Sequence, residues 1–283
     1  MTASTGIGRV ALPSGERIGA LGQGTWYLGE NPATRAAEIA ALRTGLDLGL
    51  TVVDTAEMYG QGASEILVGE ALAGRRDEVF LVDKVLPNHA TAAGTIRACR
   101  QSLARLGTDR IDLYLLHWRS TVPLAETLAG FAELIDAGAI RYWGVSNFDI
   151  DDMTELVNEA GGATVSTDQI LYNLTRRGPE YDLIPWLRRN RLPVMAYSPV
   201  EQGRLLHEPT LAAIARRHDA TSAQIALAWV LRNDGVTTIP RSGNPEHVRE
   251  NAAALDIRLT TEDLAALDGV FPPPRRPMPL EVL

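Results

Sequence analysis

The sequence predicts a (β/α)8 barrel, the TIM-barrel architecture of the α/β class, and three features carry that reading. Eight short runs rich in β-branched and apolar residues recur along the 283 residues. Stretches with helical periodicity separate them, and several close on a glycine where a left-handed carboxy-terminal cap is expected: Gly49, Gly74, Gly107 and Gly138. Strand–helix alternation over this length suits one closed parallel barrel, a single domain spanning residues 1–283. A doubly wound sheet would need a glycine-rich phosphate loop after its first strand, and Gly6-Ile7-Gly8 is too short a match to GxGxxG.

Taken in order, RVALPSGERIGAL, with Ser14-Gly15 at its centre, reads as a β-hairpin ahead of the barrel. Strands are then expected at residues 19–26, 51–54, 79–84, 111–117, 140–146, 164–170, 193–197 and 236–239. Helical patterns between them include TRAAEIAALRTGLDLG, ASEILVGEALAG, AGTIRACRQSLARLG, PLAETLAGFAELIDAG and AQIALAWVLRND. After Val270 the prolines of FPPPRRPMPLEVL preclude regular structure and predict a short extended tail.

Composition removes several function classes. A 45% hydrophobic content supports a large core. No apolar run approaches the ~18 residues of a spanning helix, and the amino terminus lacks the charged start and long apolar block of a secretory signal. The single cysteine, Cys99, lies in a helical pattern and reads as a small buried filler. A soluble, cytoplasmic protein in a reducing compartment is expected. The formal charge of -8 argues against a nucleic-acid or anionic-membrane surface, while leaving room for a local basic pocket for a phosphorylated small molecule. The five histidines show no ligand spacing such as HxH or HExxH, so no metal site is expected.

In a barrel, residues leaving the carboxy-terminal ends of neighbouring strands meet around one mouth. Those exits are Asp54, Lys84 and His117, with Tyr59 in the loop beyond Asp54. Each has an ordinary alternative: a turn cap, a solvated strand end, a core histidine, a rim aromatic. Together they are harder to dismiss, because burying Asp, Lys and His side by side is costly unless they pair. A phenol has a pKa near ~10; a lysine cation favours its phenolate, and a carboxylate holds the lysine. An imidazole can hydrogen-bond a carbonyl oxygen. Such a set polarises a C=O and protonates its oxygen, which is half of a carbonyl reduction; a nicotinamide hydride is the other half.

GxGTW (22–26), DTAEMYG (54–60), DK (83–84), LLHW (115–118), GVSNF (144–148), QILYN (169–173), AYSP (196–199) and IPRSGNPEHVREN (239–251) occur in order. On these motifs the chain resembles the aldo-keto reductase superfamily, from the hairpin to about Asp268. The resemblance implies Asp54, Tyr59, Lys84 and His117 as a catalytic tetrad, with Tyr59 the general acid. It implies a nicotinamide carboxamide held by Ser146, Asn147 and Gln169, with Tyr197 stacked on the ring and Gly24 and Thr25 nearby. Ser198, Pro199 and Ile239 belong to the same cofactor track. At the adenine end the family pattern has Lys where this chain has Arg241, and Arg where it has His247. Arg241 keeps the cation and adds a bidentate fork for a 2′-phosphate; Ser242, Glu250 and Asn251 complete the site. NADPH is therefore the expected cofactor, with NADH a weaker alternative because His247 lacks a permanent charge.

Pocket specificity in this family comes from the loops after strands 4 and 7 and from the tail. Trp26, Tyr27, Met58 and Trp118 are expected to form apolar walls, with Tyr59 and His117 beside the substrate. A shallow aromatic pocket favours small or flat carbonyls, such as 2-oxoaldehydes, aromatic aldehydes or keto sugars, over steroids. Family precedent makes a monomer the default. Two other readings are weighed: a regulatory subunit that binds NADP(H) on the same barrel with little turnover, and an imine-forming lyase using Lys84. The intact tetrad opposes the first, and the second has no use for the GVSNF and IPRS motifs.

Overall fold

The computed structural model describes residues 8–283. Gly6 and Ile7 of the discarded glycine motif, and the first seven residues of the amino-terminal segment, lie outside the described residues. The hairpin forms as expected: β1 (Arg9–Ala11) pairs antiparallel with β2 (Arg17–Gly19) around Gly15, whose φ of 89° only glycine adopts readily. Eight strands follow: β3 (Gln23–Gly24), β4 (Val52–Asp54), β5 (Phe80–Val85), β6 (Ile111–Leu116), β7 (Ile140–Ser146), β8 (Asp168–Leu171), β9 (Val194–Tyr197) and β10 (Val236–Thr238). They pair in parallel in chain order, and the last returns to the first through bridges Leu21–Thr238 and Gly24–Arg241. Gly24 is required at that seam, because a Cβ there would lie 2.6 Å from the Ile239 carbonyl oxygen.

The helices are α1 (Arg35–Asp47), α2 (Ala63–Leu72), α3 (Ala92–Leu106), α4 (Leu124–Asp136), α5 (Ile150–Asn158), α6 (Leu183–Arg189), α7 (Pro209–Arg217), α8 (Ser222–Leu231), α9 (Pro245–Ala253) and α10 (Thr261–Val270). The four glycines expected to end helical segments all have positive φ, between 63° and 85°. Cys99 is buried in α3 and free, and burial pushes its thiol up to about 12. The tail beyond Val270 is irregular, as its prolines require. Among the described residues no helix is long and apolar enough to cross a membrane, and no group of three His, Cys, Asp or Glu could hold a metal ion.

Two strand boundaries differ from expectation. The stretch at 19–26 is divided, since Gly19 ends the hairpin and only Gln23–Gly24 forms ladder pairs. The stretch at 164–170 begins later, because Gly162–Thr164 makes a 3₁₀ turn before β8. The β-branched Thr164, Val165 and Thr167 favour a strand by composition, which does not separate a strand from the turn leading into it.

Strand alternation sorts the interior. Val52, Phe80, Val82, Leu113, Leu115 and Met195 fill the barrel, while Val53, Leu81, Tyr114 and Leu116 pack outward under the helices. Val10, Leu12 and Ile18 of the hairpin join the inner cluster and plug the end opposite the mouth. Burying three such side chains contributes on the order of 5 kcal/mol before entropy.

Candidate active site

The same alternation points Asp54, Lys84, Ser146, Gln169 and Tyr197 inward at the carboxy-terminal ends of β4, β5, β7, β8 and β9. His117 follows β6 directly, its backbone N–H donating to the Val85 carbonyl at 2.9 Å. Tyr59 arrives by a different route. After Asp54 the chain leaves the barrel and reverses through Gly60, Gln61 and Gly62, all with left-handed φ (55°, 53° and 93°). It then enters α2, which is fixed on two sides. Ser64 donates to Thr25 Oγ1 at 2.8 Å, and buried Glu65 pairs with Arg105 of α3. The strained turn is thus held at its far end, and the phenol is returned over the mouth.

The four predicted catalytic side chains meet. Lys84 is fully buried and donates to Asp54 Oδ1 at 2.9 Å, Asp54 Oδ2 at 2.8 Å, the Thr55 carbonyl at 2.8 Å and the Tyr59 hydroxyl at 3.2 Å. Gln169 Nε2 donates to Asp54 Oδ1 at 2.7 Å, so the carboxylate is oriented from two strands. The Tyr59 and His117 rings meet edge to face with centroids 5.9 Å apart. Burial opposes the charge on Lys84, but Asp54 and Tyr59 outweigh it and hold the ammonium above its usual range. Burial and the nearby Lys84 push His117 well below the ordinary histidine value, so its imidazole is neutral at physiological pH.

Tyr59 behaves differently from expectation. Lys84 does pull its pKa down, but burial is the larger effect and raises the phenol above its usual value. The neighbouring cation is visible in the sequence, whereas the desolvation exists only once the mouth is packed. A phenol that stays protonated can serve as a proton donor, and the hydrogen bond from Lys84 stabilises the charge left on its oxygen afterwards.

Two cavities adjoin the tetrad. One, of about 620 Å³, runs from Asp54, Tyr59 and Tyr197 past Gly24, Thr25, Ser198, Pro199 and Ile239 to Arg241, Ser242 and His247. A neighbouring cavity of about 370 Å³ joins Arg241, Ser242 and His247 to Glu250 and Asn251. The expected cofactor residues other than Ser146, Asn147 and Gln169 therefore line two adjoining cavities, and those three face the catalytic pocket. The structure adds walls that no motif signalled: Thr34, which precedes α1, with Ala37 and Glu38 of α1 on one side, Val200, Gln202 and Gly203 on the other, and Thr221 and Ser222 at the end. The loop after β9 carries an unusual run of left-handed residues (Ser198, Glu201, Gln202, Gly203) that could have drawn notice only through its glycine.

The second cavity, of about 430 Å³, is bounded by Trp26, Met58, Tyr59, His117, Trp118 and Arg119. Ser146, Asn147, Gln169 and Tyr197 form its inner end, where Tyr197 donates to Asn147 Oδ1 at 2.8 Å. Asn147 Nδ2 donates in turn to the His117 carbonyl at 3.1 Å. Val282 and Leu283 of the tail close the outer side. Tyr27 is not a wall of this pocket. Its left-handed φ of 66° places the ring against Trp26, with centroids 4.6 Å apart, so that it faces the long groove instead.

A barrel mouth that presents a buried Lys–Asp pair against a tyrosine, with a neutral histidine alongside, has the makeup of a carbonyl-reducing enzyme. The chain belongs to the Aldo/keto reductase family, whose sequence profile matches residues 20–271. It is 48% identical over 281 residues to methylglyoxal reductase YeaE of Escherichia coli, covering 98% of this chain and 97% of that protein. An aldo/keto reductase from Klebsiella pneumoniae, solved in complex with NADP and acetate, superposes with a TM-score of 0.95 at 49% identity, covering 97% of this chain and 99% of that one. A structure of aldo-keto reductase from Klebsiella pneumoniae in complex with NADPH superposes at 0.94 with the same identity and coverage.

Proposed function

We propose that the protein is an NADPH-dependent reductase of small carbonyl compounds, 2-oxoaldehydes such as methylglyoxal foremost, working as a single-domain cytoplasmic monomer. The observation that carries the reading is the Asp54–Lys84–Tyr59 relay, with contacts of 2.8 to 3.2 Å, at the point where the long groove opens into the apolar pocket.

The groove's own residues fit a dinucleotide phosphate. Arg241 is exposed and, among the described residues, has no carboxylate partner, so its fork is free for a 2′-phosphate. Ser242, His247, Glu250 and Asn251 surround the adenine end, with Ser198, Pro199 and Ile239 along the track. Ser146, Asn147 and Gln169 meet a carboxamide, and Tyr197 offers a ring face. When bound, the reduced nicotinamide supplies a hydride to the carbonyl carbon. Tyr59 and the neutral His117 hydrogen-bond the carbonyl oxygen, which becomes negative as the hydride arrives. Tyr59 then donates its proton to that oxygen, and Lys84, held by Asp54, stabilises the phenolate left behind. Trp26, Trp118 and Met58 exclude water and limit the size of the substrate. The closeness to YeaE supports methylglyoxal as the first substrate to try.

The test is a panel of carbonyls followed by loss of NADPH absorbance. Methylglyoxal and a nitrobenzaldehyde should turn over and a 3-ketosteroid should not. Tyr59→Phe should lower kcat by about 10² to 10⁴, the usual contribution of a general acid, with NADPH binding preserved. Retention of most activity in that variant would remove Tyr59 from the role. Size-exclusion chromatography checks the monomer.

A further inference from the structure

The loop after β9 lines the long groove through Val200, Gln202 and Gly203, and the tail lines the catalytic pocket through Val282 and Leu283. One side chain touches both segments. Arg176, in the loop after β8, donates through Nη2 to Glu201 Oε1 at 2.9 Å and through Nε to the same oxygen at 3.2 Å. Its Nη1 pairs with Glu281, two residues before Leu283.

Glu201 is well anchored. Only 3% of it is exposed, Arg204 adds a contact at 2.7 Å, and Asn173 donates to its other oxygen at 2.7 Å. Burial works against the charge, yet Arg176, Arg204 and Asn173 outweigh it and hold the carboxyl below its usual value. Asn173 also donates to the Ser198 carbonyl at 2.9 Å, and its Oδ1 accepts the backbone N–H of Arg176 at 3.1 Å. The groove loop and the base of Arg176 therefore form one hydrogen-bonded unit. Glu281, by contrast, is half exposed and, among the described residues, its side chain reaches that unit only through Arg176.

We infer that Arg176 is a positioning residue that fastens the substrate-pocket tail to the cofactor loop, so that filling the long groove orders the wall made by Val282 and Leu283. The inference rests on the reading of the groove as the NADPH site. A ligand that settles residues 198–203 settles Glu201, hence the Arg176 fork, hence Glu281. The coupling runs both ways: a molecule that packs against Val282 and Leu283 tightens the groove by the same factor. In this scheme the tail does more than shape the pocket, because its seating depends on the cofactor.

The experiment is hydrogen exchange on the full chain with and without saturating NADP⁺, in the wild type, Glu281→Gln and Arg176→Met. In the wild type, exchange should slow in residues 198–203 and also in 278–283. In Glu281→Gln, an exposed and conservative change, the loop should still respond while the tail no longer does. Kinetically, Glu281→Gln should raise KM for methylglyoxal about 5–10-fold, within the common range of site–site coupling, with Kd for NADPH nearly unchanged. Arg176→Met should raise both, and Arg176→Lys should restore loop affinity but not the tail response, since an ammonium cannot fork between two carboxylates. A tail that still slows on NADP⁺ in Glu281→Gln overturns the inference. A wild-type loop that ignores NADP⁺ overturns the cofactor reading itself, and the inference with it; the two failures appear in different segments.

Discussion

At the Tyr59 end of the groove, Lys84 is fully buried and directs its hydrogen bonds to Asp54, Thr55 and Tyr59. At the other end, Arg241 and His247 are exposed, and Arg241 has no ion-pair partner among the described residues. The first arrangement is finished before a ligand arrives, which suits charge stabilisation during reaction, where reorganising dipoles would add to the barrier. The second is open and adaptable, which suits binding. The contrast teaches that the two ends should fail differently: damage to one shows in turnover and folding, damage to the other in affinity and choice of cofactor.

The largest effect is expected from Lys84→Met. It leaves Asp54 buried beside Gln169 without its cation, a loss of about 3–5 kcal/mol for a broken buried pair, together with nearly all activity. Urea unfolding at neutral pH checks the stability. Replacing Asp54 by Asn in the same protein should return much of the stability but none of the activity. If Lys84→Met unfolds like the wild type, the catalytic end is not the committed structure described.

Arg241→Ala should come next. Losing a charged hydrogen-bond partner of the 2′-phosphate at about 1.5–3 kcal/mol should raise KM for NADPH by about 10- to 100-fold, leaving KM for NADH and the urea midpoint almost unchanged. An equal effect on both cofactors would place the 2′-phosphate elsewhere. His247→Arg should be smaller and opposite in sign, tightening NADPH a few-fold for a surface charge of about 0.5–1 kcal/mol; loosened binding would break the assignment.

The smallest effect is expected from pH. His117 is held well below its ordinary value and Tyr59 above, so neither changes protonation between about pH 6.5 and 9. The acid form of Tyr59 drives reduction, so kcat should stay level across this range. It should decline only as pH rises through the raised phenol value, while the reverse oxidation gains. An inflection near 6.5 would mean a titrating, and therefore better solvated, His117.

Much of this site was legible in the sequence because it sits at strand ends, where barrel geometry converts order into position. Asp54, Lys84 and His117 needed only their strands to be recognised, whereas Gln169 was legible only through the family resemblance. Tyr27 was misplaced because its orientation depends on a left-handed backbone, which a residue's identity does not announce outside glycine. The phenol's shift was misjudged because attraction to Lys84 can be read from neighbours, whereas desolvation depends on how closely Trp26, His117 and the rest of the mouth pack around it. Arg176 went unnoticed because its two partners, Glu201 and Glu281, come from distant parts of the chain and carry no motif.

The seam between β3 and β10 has a consequence during synthesis. Its two sides, Gly24 and Arg241, lie near opposite ends of the chain. At typical translation rates the early strand waits on the order of ten seconds or more for its neighbour to leave the ribosome. Until then β3 has a bare edge, open to pairing with another nascent chain. Because Gly24 and Arg241 both line the long groove, a dinucleotide bound there spans the join. At a hundredfold excess over its Kd it would hold the closed form by about 2.7 kcal/mol, linking the yield of folded barrel in a cell to the supply of its coenzyme.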